Sequence, residues 1–102
     1  MKKQSKIDYY CSLAVNGTKK DIDKIMKDLN RKMTIADSKF LDFALGHIET
    51  EEGIEHMEYY LFNGTQIQRN YCTLYFGRRG DYPLIRKAYE MGLIDGRQAF
   101  SR

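Results

Sequence analysis

The first residues of the chain alternate between apolar and polar side chains. Apolar residues occupy every second position from Ile7 to Val15, and a period of two predicts a β-strand with one buried face. Thr18 and Asp21 then predict the N-cap and the acidic first turn of a helix. The apolar positions of this helix recur at helical spacing, at Ile22, Ile25, Met26 and Leu29. We therefore predict a strand and then an amphipathic helix that ends near Asn30.

Residues 38–50 fit two different elements. A helix is indicated by the spacing of Phe40, Phe43, Ala44 and Ile48, and a strand by the spacing of Leu41, Phe43 and Leu45. We favour the strand, because Glu51-Glu52-Gly53 then forms a three-residue hairpin loop with glycine in the left-handed position. The register of this hairpin over residues 40–62 stays open.

The second half of the chain is predicted as a hairpin and a helix. Asn63-Gly64 separates two strand-like segments, 54–62 and 65–77, and Asn-Gly is the strongest short hairpin signal. Asp81 then predicts the N-cap of a helix with Pro83 in its first turn. The apolar stripe of this helix would be Leu84, Ile85, Ala88 and Met91, followed by Gly92 at the C-cap. Asp95 and Gln98 predict one further short helical turn.

The predicted element order is β-α-β-β-β-α, which defines an α+β fold. Its four-stranded, mainly antiparallel sheet would carry both helices on one face. The length of 102 residues predicts a single domain over 1–102, with a flexible N-terminus at 1–6. We recognise no internal repeat, and we interpret the tripeptide Asn-Gly-Thr, which occurs at 16–18 and 63–65, as turn chemistry.

The hairpin register decides which side chains the open face of the sheet would carry. With Asn63-Gly64 as a two-residue loop, Glu58 lies opposite Arg69 on that face. Tyrosine, phenylalanine and arginine would gather there, and exposed patches of such residues mark interaction sites. The predicted partner-binding residues of this face are Tyr10, Tyr60, Phe62, Arg69, Tyr71 and Tyr75.

Charge adds an acidic segment to this face. The net charge is only +3, but residues 40–62 carry six acidic residues and neither lysine nor arginine. Glu51, Glu52 and Glu55 therefore join the predicted partner-binding set, because they would repel phosphates and suit a basic protein. We predict a small non-catalytic binding protein, an adaptor or inhibitor of another protein, and homodimerisation through the same face is compatible with this.

The alternative is a module that binds single-stranded nucleic acid. Bases would stack on the same aromatic face. Guanidinium groups would contact the phosphates, and the residues predicted for this role are Arg69, Arg78, Arg79 and Arg86.

Catalytic and cofactor motifs are missing from the sequence. There is no Cys-x-x-Cys pair and no dinucleotide fingerprint, so we predict neither catalysis nor a cofactor. His47 and His56 project from opposite faces in the preferred register and predict no metal site, whereas the neighbouring register leaves one open.

Cys11 and Cys72 are predicted to be buried, reduced thiols. With no long apolar segment and no signal peptide, we expect no membrane association and a cytoplasmic location.

Overall fold

The computed structural model describes residues 5–100, except for the side chains of Gln98 and Phe100. All regular elements in this range are helices. They are α1 (Lys6–Asn16), α2 (Lys19–Asp28), α3 (Ile35–Leu45), α4 (Glu51–Asn63), α5 (Gln66–Arg78), α6 (Tyr82–Glu90) and α7 (Gly96–Phe100). Residues 5–100 contain no strand, so the predicted α+β fold with its four-stranded sheet is wrong.

The helices belong to two compact units. Unit 1 extends to His56 and unit 2 begins at Met57, so that α4 contributes residues to both. In unit 1, α1 packs against both α2 and α3. In unit 2, α5 packs against α6 and α7, which also contact each other. The expectation of a single domain stays a prediction.

The N-terminal segment that was expected to be flexible lies only partly in the described range. Residues 1–4 lie outside the described residues. Ser5 is the N-cap of α1, where its hydroxyl accepts a hydrogen bond from the Asp8 amide at 3.2 Å. Lys6 begins the helix, and its ammonium group contacts Asp37 of α3 at 3.0 Å. Ser5 and Lys6 are therefore held by the start of α1.

The first predicted strand is helix α1. Its buried residues are Tyr10, Leu13, Ala14 and Gly17, which follow the i, i+3, i+4, i+7 spacing of a helix face. The alternating set predicted to be buried includes Tyr9 and Val15, and both are exposed. Tyr9 fits the period of two and Tyr10 fits the helical period, so the pattern alone allows a strand or a helix. Packing of α1 against α2 and α3 selects the helix.

The three other predicted strands are also helices. Residues 38–50 follow the helical alternative, because Leu41, Ala44, Leu45 and Ile48 are the buried positions. Asn63-Gly64 is a turn between α4 and α5 rather than a hairpin loop. Thr65 caps α5 reciprocally: its hydroxyl accepts from the Gln68 amide at 3.2 Å, and its amide donates to the Gln68 side chain at 2.9 Å. The tripeptide at 16–18 has the same role before α2. Each copy of Asn-Gly-Thr therefore ends one helix and caps the next.

Helices are present at the positions predicted for the other helical segments, although the C-cap of α6 is Met91 rather than Gly92. Thr18 and Asp21 form the capping box of α2, and Ile22, Ile25, Met26 and Leu29 are buried. Asp81 is the N-cap residue of α6, with proline in the first turn, but its side chain does not form the capping hydrogen bond that was expected. The predicted stripe of α6 is only partly buried, because Met91 is exposed. The final short helix follows Asp95 as expected.

Both units contain the same kind of helix pair. A glycine in the left-handed conformation, Gly17 (φ 66°) or Gly80 (φ 76°), lies between α1 and α2 and between α5 and α6. The offset of 63 residues between these glycines also relates buried Ile22 to Ile85 and buried Ile25 to Ala88. In unit 1, α1 also packs against α3, and in unit 2, α5 also packs against α7.

These two glycines allow a matched test of what surrounds them. A Cβ at Gly17 would collide with Thr50, whereas a Cβ at Gly80 would meet nothing within 4 Å. Gly80→Ala should lower the free energy of unfolding by about 1 kcal/mol, because an L-residue is strained in the left-handed region. Gly17→Ala should lower the free energy of unfolding by about 1–3 kcal/mol more than Gly80→Ala, because the added methyl group overpacks against Thr50. Urea denaturation followed by circular dichroism measures both, and equal losses would contradict the packing at Gly17.

Tyr10 carries a buried hydroxyl with a shifted pKa. Its phenol donates a hydrogen bond to the Asp28 carboxylate at 2.9 Å. Burial, and then this carboxylate, raises the pKa of Tyr10 to about 12 from its ordinary value of 10.0. The neutral phenol is therefore favoured in the folded state, and its contribution to stability is lost when the phenol ionises.

A pH series tests this contribution. It should be fully present below about pH 10 and be lost as the pH rises through about 12, because the folded pKa lies above the unfolded one. The unfolding free energy of the wild type should therefore fall more steeply across this window than that of Tyr10→Phe. Urea titrations at stepped pH measure the difference, and parallel profiles for the two proteins would show that the phenol does not titrate in this way.

Candidate protein-binding surface

The sequence-predicted site residues do not form the face that was expected. Tyr10, Glu51, Glu52 and Glu55 belong to unit 1, and Tyr60, Phe62, Arg69, Tyr71 and Tyr75 belong to unit 2. The open sheet face does not exist in residues 5–100. Tyr10 and Tyr75 are buried, so neither ring presents a surface to a partner.

Arg69 holds two loops of unit 2. Its guanidinium and Nε groups donate to the carbonyls of Leu93 (2.8 Å) and Gly64 (2.7 Å), and to the side chain of Gln66 (3.2 Å). These bonds join the turn before α5 to the segment after α6. Charged donors of this kind satisfy carbonyls that a helix end leaves unpaired. The geometry therefore gives Arg69 a structural role.

The aromatic residues of unit 2 also pack within the unit. The Tyr75 ring meets Phe76 edge-on, with 5.0 Å between ring centroids, and lies 5.6 Å from the Arg79 guanidinium carbon. The half-buried Phe62 lies beneath the Lys87 ammonium at 5.4 Å, a cation–π distance. Among the remaining predicted residues, Tyr60 and Tyr71 are half-buried, whereas Arg78, Arg79 and Arg86 are exposed.

The hairpin predicted over residues 40–62 is instead the second half of α3, the turn that follows it and most of α4. Glu51 and Glu52 lie in its first turn, where their charge suits the positive end of the helix dipole. Glu52 accepts a hydrogen bond at 2.7 Å from the amide of Lys19, the first residue of α2. Glu51 and Glu55 are exposed. Glu52 therefore connects the beginnings of two helices.

The two histidines occupy different surroundings. The His56 Nε2 atom lies 2.6 Å from a carboxylate oxygen of Asp23. His47 packs edge-on against Phe43 at 4.9 Å, with Nδ1 placed 3.1 Å from the Phe43 carbonyl. Within residues 5–100, no group of three or more His, Cys, Asp or Glu side chains is placed to hold a metal ion.

One face of α3 in unit 1 carries exposed aromatic side chains. Ala36, Phe40 and Phe43 follow one another at spacings of four and three residues, which aligns them along one side of α3. His47 lies just after the end of α3, with its ring edge-on against Phe43. We call these four residues the aromatic row. Phe43 is 58% exposed and Phe40 is 37% exposed. Ile35, in the first turn beside the row, is 78% exposed.

Contacts at both ends and along the back of α3 hold the row in place. The Thr34 hydroxyl accepts from the Asp37 amide at 3.0 Å and caps the helix. Asp37 also pairs with Lys6 of α1. The opposite face of α3 buries Leu41, Ala44 and Leu45. The row therefore lies on a helix whose position is set by core packing against α1.

Large aromatic groups in water have a clear physical consequence. Burying a phenylalanine side chain is worth about 1.5–3 kcal/mol, so a partner that covers the row gains this free energy. Sequence reasoning placed Phe43 on the core face of a strand, and the 4-3-4 spacing was the signal that could have found the row.

Comparison with protein-family models, with curated proteins and with solved structures finds no match to this chain. None of the helices within residues 5–100 has the length and apolar character required to cross a bilayer.

The two cysteines differ in access. Cys72 is fully buried, and burial raises the pKa of its thiol far above its usual range. Cys11 was predicted to be buried, but it is only half-buried and lies beside Ser12, Val15 and Asn16 along an open groove on α1. Burial, and secondarily Asp8, also raises the pKa of the Cys11 thiol.

Thiol titration should separate these cysteines. An aromatic disulfide reagent should label Cys11 in the folded protein, more slowly than a free thiol, because its thiolate is disfavoured. Cys72 should react only after denaturant is added. Cys11→Ser should remove the native-state reaction, and a native reaction that persists in this variant would contradict the burial of Cys72.

Proposed function

We propose that this protein binds another protein, as an adaptor or inhibitor, through the aromatic row on α3. The observation that carries the proposal is the exposure of Phe40 and Phe43 on one side of a helix whose other side is buried. Exposed apolar surface of this kind is typical of interaction sites, and aromatic side chains are enriched in the centres of interfaces.

The row suits an amphipathic helix of the partner. It runs along the α3 axis for about 10 Å between Ala36 and Phe43, at a rise of 1.5 Å per residue. Lys39 and Asp42 of the same helix carry charges of both signs on one side of the row. A partner helix with apolar residues at i, i+3, i+4 and i+7 would cover the rings and place its own charges at this rim.

The proposal also includes a non-catalytic role and a cytoplasmic location. A non-catalytic role is proposed because the described titratable groups form no obvious constellation: His56 pairs with Asp23, and His47 packs on Phe43. A cytoplasmic location is proposed because Cys11 and Cys72 are free thiols, and free cysteines are typical of reducing compartments.

Substituting the row tests the proposal. Phe43→Asp places a charge at the centre of the contact and should weaken partner binding at least tenfold, because the ring is lost and the carboxylate is desolvated. The change in unfolding free energy should be within about 0.5 kcal/mol, since Phe43 is exposed. Affinity capture that identifies the partner, followed by calorimetric titration with the purified partner, measures the effect.

Val15→Asp is the matched control. Val15 is 61% exposed on α1, so this variant adds the same carboxylate to another apolar position of unit 1 and should bind normally. Sedimentation of the protein alone identifies self-association as the other possible occupant. Equal partner binding by wild type and Phe43→Asp, or a dimer that dissociates only in Phe43→Asp, would overturn the assignment to a different protein.

A further inference from the structure

We propose that the outer face of α2 binds the phosphate backbone of nucleic acid. Its residues are Lys20, Lys24 and Lys27 on the helix, and Arg31 and Lys32 in the turn that follows, all of which are exposed. We call these five residues the basic face. The inference is independent of the proposed protein-binding function, because it concerns another helix of unit 1.

The three lysines are aligned by helix geometry. Their spacings of four and three residues place them on one side of α2, over about 10 Å at 1.5 Å per residue. The opposite side contains Ile22, Ile25 and Leu29, which are buried. The basic face therefore points away from the core of unit 1, and its ammonium groups extend into solvent.

The carboxylates of α2 lie on the flanks of this face and are hydrogen-bonded within unit 1. Asp21 accepts hydrogen bonds from Asn16 at 2.5 Å and from Thr18 at 2.7 Å. Asp23 contacts His56 at 2.6 Å, and Asp28 accepts from the Tyr10 phenol at 2.9 Å. Asp21 is buried and Asp28 is half-buried, whereas the Asp23 side chain is 53% exposed at the edge of the face beside its contact with His56. The line of Lys20, Lys24 and Lys27 itself carries no acidic residue.

The turn after α2 is ordered by Asn30. Its side-chain amide donates to the Lys27 carbonyl at 3.3 Å, and its side-chain oxygen accepts from the Lys32 amide at 2.8 Å. These two hydrogen bonds fix the backbone of the turn relative to the end of α2. Arg31 and Lys32 are thereby held next to the lysines of α2 and extend the basic face.

The chemistry of the face favours a phosphate backbone over other anionic partners. A protein interface is depleted in lysine at its core. Stable attachment to a bilayer needs an apolar group besides charge, and the apolar residues of α2 are buried. A line of lysines without aromatic groups suits sequence-independent contacts to successive phosphates, which release counterions on binding.

Salt-dependent binding tests the proposal. The probe is a fluorescently labelled oligouridylate, with anisotropy measured between about 50 and about 200 mM KCl. Wild type should bind with an affinity that falls linearly in log salt. Replacing Lys20, Lys24 and Lys27 by glutamine should weaken binding at least tenfold at low salt and reduce the slope by about 2, at roughly 0.7 per phosphate contact.

Two further variants keep the result interpretable. Replacing Lys20, Lys24 and Lys27 by arginine should preserve both the binding and the slope, because the charge is retained. The matched control Lys6→Gln/Lys87→Gln/Arg97→Gln removes the same charge from other exposed positions and should bind like wild type, with circular dichroism confirming that each variant is folded.

Three outcomes would overturn the proposal. The first is no binding by wild type at the lowest salt. The second is loss of binding in the Lys6, Lys87 and Arg97 control but not in the α2 glutamine variant, which would move the contact to other residues. The third is binding to phosphatidylserine-containing vesicles without binding to the oligonucleotide, which would make the face a membrane contact.

Discussion

The junction where α1 ends, α2 begins and α4 starts holds unit 1 together. Gly17 turns the chain in the left-handed conformation, and its carbonyl accepts from the Thr50 hydroxyl at 2.8 Å. The same hydroxyl accepts from the Gly53 amide at 3.0 Å. One side chain thus satisfies backbone groups from two segments that are far apart in sequence. Any Cβ at residue 17 would displace it, so the turn and the start of α4 constrain each other.

Asp21 completes this junction from the side of α2. Its carboxylate accepts from the Thr18 amide and hydroxyl and from the Asn16 side chain. The Thr18 hydroxyl bond lowers the pKa of Asp21 even though the carboxylate is buried, with the Asn16 bond contributing as well. Charge-assisted hydrogen bonds of this kind are stronger than neutral ones. The negative charge also lies at the positive end of α2, where the helix dipole stabilises it.

Both proposed surfaces of unit 1 lie on helices whose opposite faces are buried. The aromatic row is backed by Leu41, Ala44 and Leu45 of α3, and the lysines of α2 are backed by Ile22 and Ile25. Core packing therefore determines the orientation of each surface, and neither surface requires a loop to become ordered on binding. Sequence analysis expected binding groups on a sheet, with tyrosine and arginine as the main residues. In the structure, Arg69 hydrogen-bonds to backbone carbonyls and Tyr75 is buried, both within unit 2. The exposed residues to which we assign binding are therefore different ones.

The sequence by itself determined the helices whose boundaries are local. The beginning of α2 follows from Thr18 and Asp21, because a capping box needs only residues three positions apart. Tertiary structure decided α1, α3, α4 and α5, where apolar and aromatic residues satisfy both a period of two and a period of 3.6. In α1, burial of Tyr10 rather than Tyr9 selects the helix, and that burial exists only once α2 and α3 pack against it. The same reason explains why the exposure of Phe43 was not foreseen: which face of an ambiguous segment is buried depends on its neighbours in space.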